Sequence, residues 1–313
     1  MGEYKRNAFL DTVKGLLIIL VFAGHILPGT LRESPARYVI YSFHMPAFFF
    51  VSGYLINIQK LNEPAALVIK RYLVRIAMPW FFAVPVYYLI INFPSSYGIT
   101  SFLKAYAAPY YHLWFVPGYL FCVFITWFVI CFVRRRPFHV LLGVGAAFSI
   151  LYICSIAAGL DNIVIRLIKH TIRPWFLLFF ALGCYIKNTG GIHSVGGGRQ
   201  IYRWLAPSLV LLYLILLPAG YHYQGCFLEP LVRFFLLCLI LVSFHWNTYE
   251  KGIPGIQWLG TETYPIYLWH IIGKIIGVNC GAYYIVSIIW FIFLILMLKI
   301  IKKDSSVRLI IGR

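Results

Sequence analysis

The chain has 313 residues, 61% of them hydrophobic and 12% charged, with a mean hydropathy of +0.82 and a formal net charge of +18. That apolar fraction excludes a soluble globular domain and marks an integral membrane protein. The positive charge does not indicate nucleic acid as a partner. Its basic residues sit in short clusters between apolar runs, as the positive-inside rule requires.

Ten apolar runs read as the spans of an all-α, polytopic transmembrane helix bundle: 9–28, 38–58, 68–92, 111–133, 138–158, 172–187, 203–219, 228–246, 264–279 and 282–301. A span needs about 20 apolar residues, so the sixth and ninth runs are short and read as tilted or shielded by neighbours. No fixed-period repeat and no long linker interrupts the chain, so residues 1–313 read as one transmembrane domain without a separate soluble domain. The first run contains Asp11, Lys14 and His25 and reads as a retained helix, not a cleaved signal.

In that first run Lys14 and His25 are eleven positions apart. Eleven steps of about 100° end about 20° past three whole turns, which places both groups on one helix face, about 16 Å apart along the axis. Ionisable groups inside a span are costly and mark function by default. A neutral imidazole suits a general base or a proton relay. A cation at Lys14 can hold an anionic group arriving from the cytoplasm. Asp11, three residues before Lys14, is also spaced to pair with it locally.

The second run carries His44, Met45 and Pro46, the proline freeing a backbone carbonyl, and then Ser52-Gly53, a small pair that reads as helix packing. His44 is divided evenly between a structural and a site role. Lys70, Arg71 and Arg75 open the third run; Arg71 and Arg75, four apart, share a helix face, and ordinary anchoring explains them as well as anion binding does. His112-Leu113-Trp114 starts the fourth run at an interface, where tryptophan is favoured. Arg134, Arg135 and Arg136 read as an inner-face anchor. Gly196, Gly197 and Gly198 read as a turn, with no phosphate-loop context. Glu229 and Arg233 are spaced to pair. Glu262 precedes the ninth run, and His270 lies midway along it. The seven cysteines form no CxxC, and those within apolar runs read as small buried hydrophobes, not metal ligands or disulfides.

With the N-terminus inside, the inner side receives eighteen of the 27 basic residues and the outer side eight, with Lys14 left within the first span. The asymmetry predicts a multi-pass protein with both termini in the cytoplasm.

Taken together, the motifs resemble the membrane-bound acyltransferase 3 family, and within it the fucose 4-O-acetylase-like branch. Lys14, ten residues and His25 match the basic residue and histidine of that family's first helix. Phe43, His44, Met45, Pro46, Phe48, Phe49, Ser52 and Gly53 match its second. Leu113 to Pro117, Phe180 to Tyr185, and Gly260, Thr263, Ile266, Tyr267 and His270 follow in the family's order. One departure stands out. Many members carry two arginines three apart before a proline, whereas Arg71 and Arg75 before Pro79 are four apart.

The resemblance implies a membrane O-acyltransferase that moves an acetyl or other short acyl group from acetyl-coenzyme A to a hydroxyl of a cell-surface glycan or lipid-linked sugar. It implies His25 and Lys14 as catalytic, and Lys70, Arg71 and Arg75 as donor-binding. Asp11, His44, Trp114, Tyr267 and His270 are expected to line the site. No metal and no permanently bound cofactor is expected, since acetyl-coenzyme A enters as a substrate. The expected location is the inner (cytoplasmic) membrane. A transporter using His25 and Lys14 as a relay is the competing reading, and a sensing module without turnover the third.

Overall fold

The computed structural model describes residues 7–92, 97–189, 252–301 and 306–312. Among the described residues the regular elements are helices and no strand occurs. Apart from short helical turns at Ile58–Leu61, Ile168–Ile172 and Pro174–Phe176, they are in chain order α1 (Ala8–Ile26), α2 (Pro35–Leu55), α3 (Ala65–Asn92), α4 (Ile99–Ala107), α5 (Phe115–Phe132), α6 (Pro137–Ala157), α7 (Ile163–Leu167), α8 (Leu177–Thr189), α9 (Pro254–Thr261), α10 (Thr263–Trp269), α11 (Ile271–Asn279), α12 (Tyr283–Ile300) and α13 (Ser306–Ile311). The expected spans 203–219 and 228–246, the glycines 196–198 and the Glu229–Arg233 pair lie outside the described residues.

Local chemistry sets the helix ends. The Asn7 side chain accepts the Leu10 N–H at 3.1 Å and caps α1, which stops at Leu27 before Pro28. Ser34 caps α2 by accepting the Arg37 N–H at 3.3 Å, with Pro35 in the first turn.

Among the described residues, five helices are long and apolar enough to cross a membrane: α1, α3, α5, α6 and α12. The expected ten are therefore not all matched. Helix α2 has the length, at 21 residues, but its polar side chains keep its composition below that of a plain span. Helix α8 has 13 residues. The run 264–279 is two helices, α10 and α11, interrupted at His270.

The described chain divides into two compact units. The first joins Met1–Ile56 to Leu178–Thr261. Here helices meet backbone to backbone. A Cβ on Gly15 would run into the Ile256 carbonyl, and one on Gly260 into the Asp11 carbonyl, so only glycine lets α9 lie this close to α1. Gly53 of α2 meets the backbone of Phe180, and Gly183 of α8 meets the backbone of Phe50 and Tyr54. The packing role read for Gly53 is thus the observed one.

The second unit joins Asn57–Leu177 to Glu262–Arg313. It is held by aromatic donors reaching distant carbonyls. Trp80 Nε1 donates to Leu113 O at 2.9 Å, Tyr87 Oη to Leu268 O at 2.8 Å, Tyr264 Oη to Ile76 O at 2.5 Å and Trp290 Nε1 to Trp269 O at 2.8 Å. Outward faces of α6 and α12 are apolar, with Ile150, Leu151, Ile285 and Ile289 all exposed, as a lipid-facing surface requires. Cys131 and Cys154 are also exposed, unlike buried Cys122 and Cys184, so only part of the cysteine set packs as expected.

Candidate functional site

In the first unit, Asp11 is 4% exposed and its carboxylate lies 2.7 Å from Lys14 Nζ. Of the two readings open for Asp11, the local ion pair is the one observed. Lys14 therefore carries a compensated charge, and α9 presses on the Asp11 backbone through Gly260.

His25 lies nearer the other end of α1. Its Nδ1 is 3.1 Å from the Tyr41 hydroxyl of α2. A phenol can donate or accept. With Nδ1 protonated and donating to Tyr41, Nε2 keeps the lone pair a general base needs. Tyr41 is flanked in turn. The Arg37 guanidinium carbon lies 5.5 Å from its ring centroid, and the His44 ring packs edge-on at 5.0 Å. His44 is buried, and its Nδ1 sits 2.6 Å from the Ile40 carbonyl. A carbonyl only accepts, so His44 Nδ1 must carry a proton. Lys14 and His25 are thus engaged by different partners, Asp11 for one and Tyr41 for the other.

In the second unit the helix break at His270 is the central feature. The His270 backbone stays helical, and its Nδ1 donates to the carbonyls of Tyr267 at 2.8 Å and Ile266 at 3.1 Å. The next carbonyls, Leu268 and Trp269, accept from Tyr87 and Trp290. A helix break buried in the protein is stable only where such donors satisfy its backbone. His112, 4% exposed in the turn before α5, brings its ring centroid to 4.7 Å from that of His270. Tyr267 locks the pair, donating from its hydroxyl to His112 O and packing its ring 4.6 Å from the imidazole.

Beside this pair stands Trp114, with the Arg173 guanidinium 3.7 Å over one ring and Phe176 stacked at 5.4 Å. Arg173 and Tyr111 both hold positive φ, at 49° and 47°. Such backbone costs of order 1 kcal/mol or more in a residue with a side chain and concentrates where surroundings over-determine it.

At the start of α3 the three basic residues part company. Arg71 ion-pairs with Glu63 and donates to Lys60 O at 3.0 Å. Lys70 and Arg75 are exposed and have no hydrogen bond or ion pair among the described residues. Arg71 is thereby tied to the preceding turn, leaving Lys70 and Arg75 as the cations open to a ligand.

Within the second unit Tyr267 and His270 come together, with Trp114 following His112 in the same short turn; within the first, His25, Tyr41 and His44 do. His112, Tyr41 and Arg173 belong to these arrangements, and Tyr264 bonds to Ile76 O on α3; none was among the site residues expected from sequence. His112 carried only an interface signal. Tyr41, Arg173 and Tyr264 carried none, because their partners are distant in the chain.

Nodulation protein NolL of Sinorhizobium fredii is 31% identical over 128 residues, which is 37% of this chain and 35% of that protein. Nodulation protein NolL of Mesorhizobium japonicum is 41% identical over 61 residues, 17% of this chain and 16% of the relative. The chain thus spans about a third or less of the curated relatives it matches. No solved structure matches it. The profile of the acyltransferase domain matches residues 7–303, almost the full length, and the chain belongs to the acyltransferase 3 family.

Proposed function

We propose that the protein is a membrane O-acyltransferase carrying an acetyl or other short acyl group from acetyl-coenzyme A to a sugar hydroxyl on a glycan or lipid-linked saccharide. The observation that carries this reading is His25, a histidine within a membrane-crossing helix whose Nδ1 is engaged by the Tyr41 hydroxyl. That engagement orients the ring for proton transfer at Nε2. Family membership favours this over a proton-relay transporter.

In the reaction, His25 Nε2 takes the proton from the acceptor hydroxyl as the oxygen attacks the thioester carbonyl. A C–O bond forms, the tetrahedral intermediate collapses and the C–S bond breaks. The proton passes from His25 to the departing thiolate, so ester and free thiol are the products and the imidazole is neutral again. Lys14, held by Asp11, supplies a hydrogen-bond donor on α1 whose charge is compensated. Lys70 and Arg75 hold donor phosphates as point charge and fork respectively. Donor entry from the cytoplasm and acceptor entry from the outer side follow from placing both termini inside.

The test is direct. Purified protein in lipid receives acetyl-coenzyme A labelled in the acetyl group, with candidate sugar acceptors. Label on a sugar ester supports the reading. Transport of a solute with no acetyl turnover would remove it.

A further inference from the structure

Helix α3 is not uniformly α-helical. Over Leu73–Ala77 it is a π turn, and the Met78 N–H reaches back five residues to Leu73 O. Single π turns inside α-helices are rare and recur at functional sites. Arg75 lies inside this one. Pro79 follows and has no N–H to return to the turn above it. Within the turn, the Ile76 carbonyl accepts from the Tyr264 hydroxyl at 2.5 Å. Tyr264 comes from α10, the short helix that also carries Tyr267. Its ring is covered by the chain at Gly312, whose φ of 104° allows the close approach.

The π turn changes where Arg75 points relative to the start of the helix. In a regular α-helix, residues four apart overshoot one turn by about 40°, and residues three apart fall about 60° short of it. A ladder closing on the fifth residue holds more than four residues per turn. With part of the path in that ladder, the step from Arg71 to Arg75 loses most of the 40° overshoot and comes close to a whole turn. The extra residue before Pro79 is therefore absorbed by the backbone. The open cation, Arg75, is swung back toward the side on which Lys70 and Arg71 leave the helix.

We propose that Tyr264 is a positioning residue for donor binding: its hydroxyl, bonded to Ile76 O, holds the π turn that aims Arg75 at the donor's phosphates. The inference rests on the donor-binding reading of Arg75. It goes beyond that reading in making the register of the basic residues depend on a side chain from another helix.

The experiment measures KM for acetyl-coenzyme A and kcat in the full-length protein with Tyr264→Phe, with Arg75→Ala, with both, and in a variant lacking Val74. Tyr264→Phe should raise the donor KM about three- to tenfold, the usual worth of one hydrogen bond, with kcat within about twofold. Adding it to Arg75→Ala should raise KM no further, because there is then no guanidinium to aim. Deleting Val74 removes the extra residue, and in that background Tyr264→Phe should leave KM unchanged. If Arg75→Ala raises KM and Tyr264→Phe does not, the inference is overturned and the donor reading stands. A loss in kcat alone, or an equal further rise in the Arg75→Ala background, also overturns it by making Tyr264 a general structural prop. An unchanged KM in Arg75→Ala overturns the donor reading of that residue, and the inference with it.

Discussion

The two units solve the same problem with different chemistry. In the first, helices approach until backbones touch, through Gly15, Gly53, Gly183 and Gly260. In the second, helices are linked by phenol and indole donors of Trp80, Tyr87, Tyr264, Tyr267 and Trp290 on carbonyls far away in sequence. Lipid gives no hydrophobic push between helices, so packing and interhelical hydrogen bonds must do the holding. The contrast separates what each region tolerates. Backbone contact forbids any side chain at the contact, whereas a hydrogen bond can be removed with the shape kept.

The largest effect is expected from breaking the first kind of contact. Gly260→Leu puts side-chain atoms where the Asp11 carbonyl is, and backbone cannot step aside as a flexible side chain does. The cost should reach the upper end for overpacking, about 3 kcal/mol or more. Thermal unfolding and the yield of monodisperse protein would show it. A stable Gly260→Leu protein would mean that α9 does not need its close seat on α1.

A smaller effect is expected in the second unit. Tyr87→Phe keeps the ring and removes one donor from the Leu268 carbonyl. Interhelical hydrogen bonds in membranes average about 0.6 kcal/mol and reach about 1.7 kcal/mol. The protein should therefore fold, with a midpoint shift of that order. Smaller still, Glu63→Gln should leave stability almost unchanged, since the Glu63–Arg71 pair is partly exposed and such pairs contribute about 0–1 kcal/mol. Donor KM should also stay near its original value, because Arg71 serves the helix start. A marked rise in KM would return Arg71 to the donor site.

The same contrast explains what could be read from sequence. Helices α1, α5, α6 and α12 are apolar runs bounded by polar or proline residues, and their ends fall within about four residues of expectation because hydropathy and those bounding residues are both visible in the sequence. The Asp11–Lys14 pair was legible because a helix brings positions three apart together. Gly53 was legible as a packing residue because few other roles suit a small residue mid-span. The break at His270 was not legible. A hydropathy window is blind to a single backbone irregularity, and the donors that satisfy it, Tyr87 and Trp290, sit on other helices. The π turn was signalled only by an arginine spacing one residue too long. Nor could any periodicity pair His112 with His270, or Tyr41 with His25, since those contacts are made by tertiary packing. Arg71 was open to anchoring or anion binding in the sequence, and its ion pair with Glu63, eight residues earlier, had no signal there.

The measurement that bears most directly on the central claim is acetyl transfer by His25→Ala in protein matched to wild type for folded yield. A general base is worth roughly two to four orders of magnitude, so transfer should fall by that much. His25 is only half-buried, so little packing is lost and the protein should accumulate normally. Wild-type transfer by folded His25→Ala protein would contradict the account and move the proton-accepting role to the His112–His270 pair.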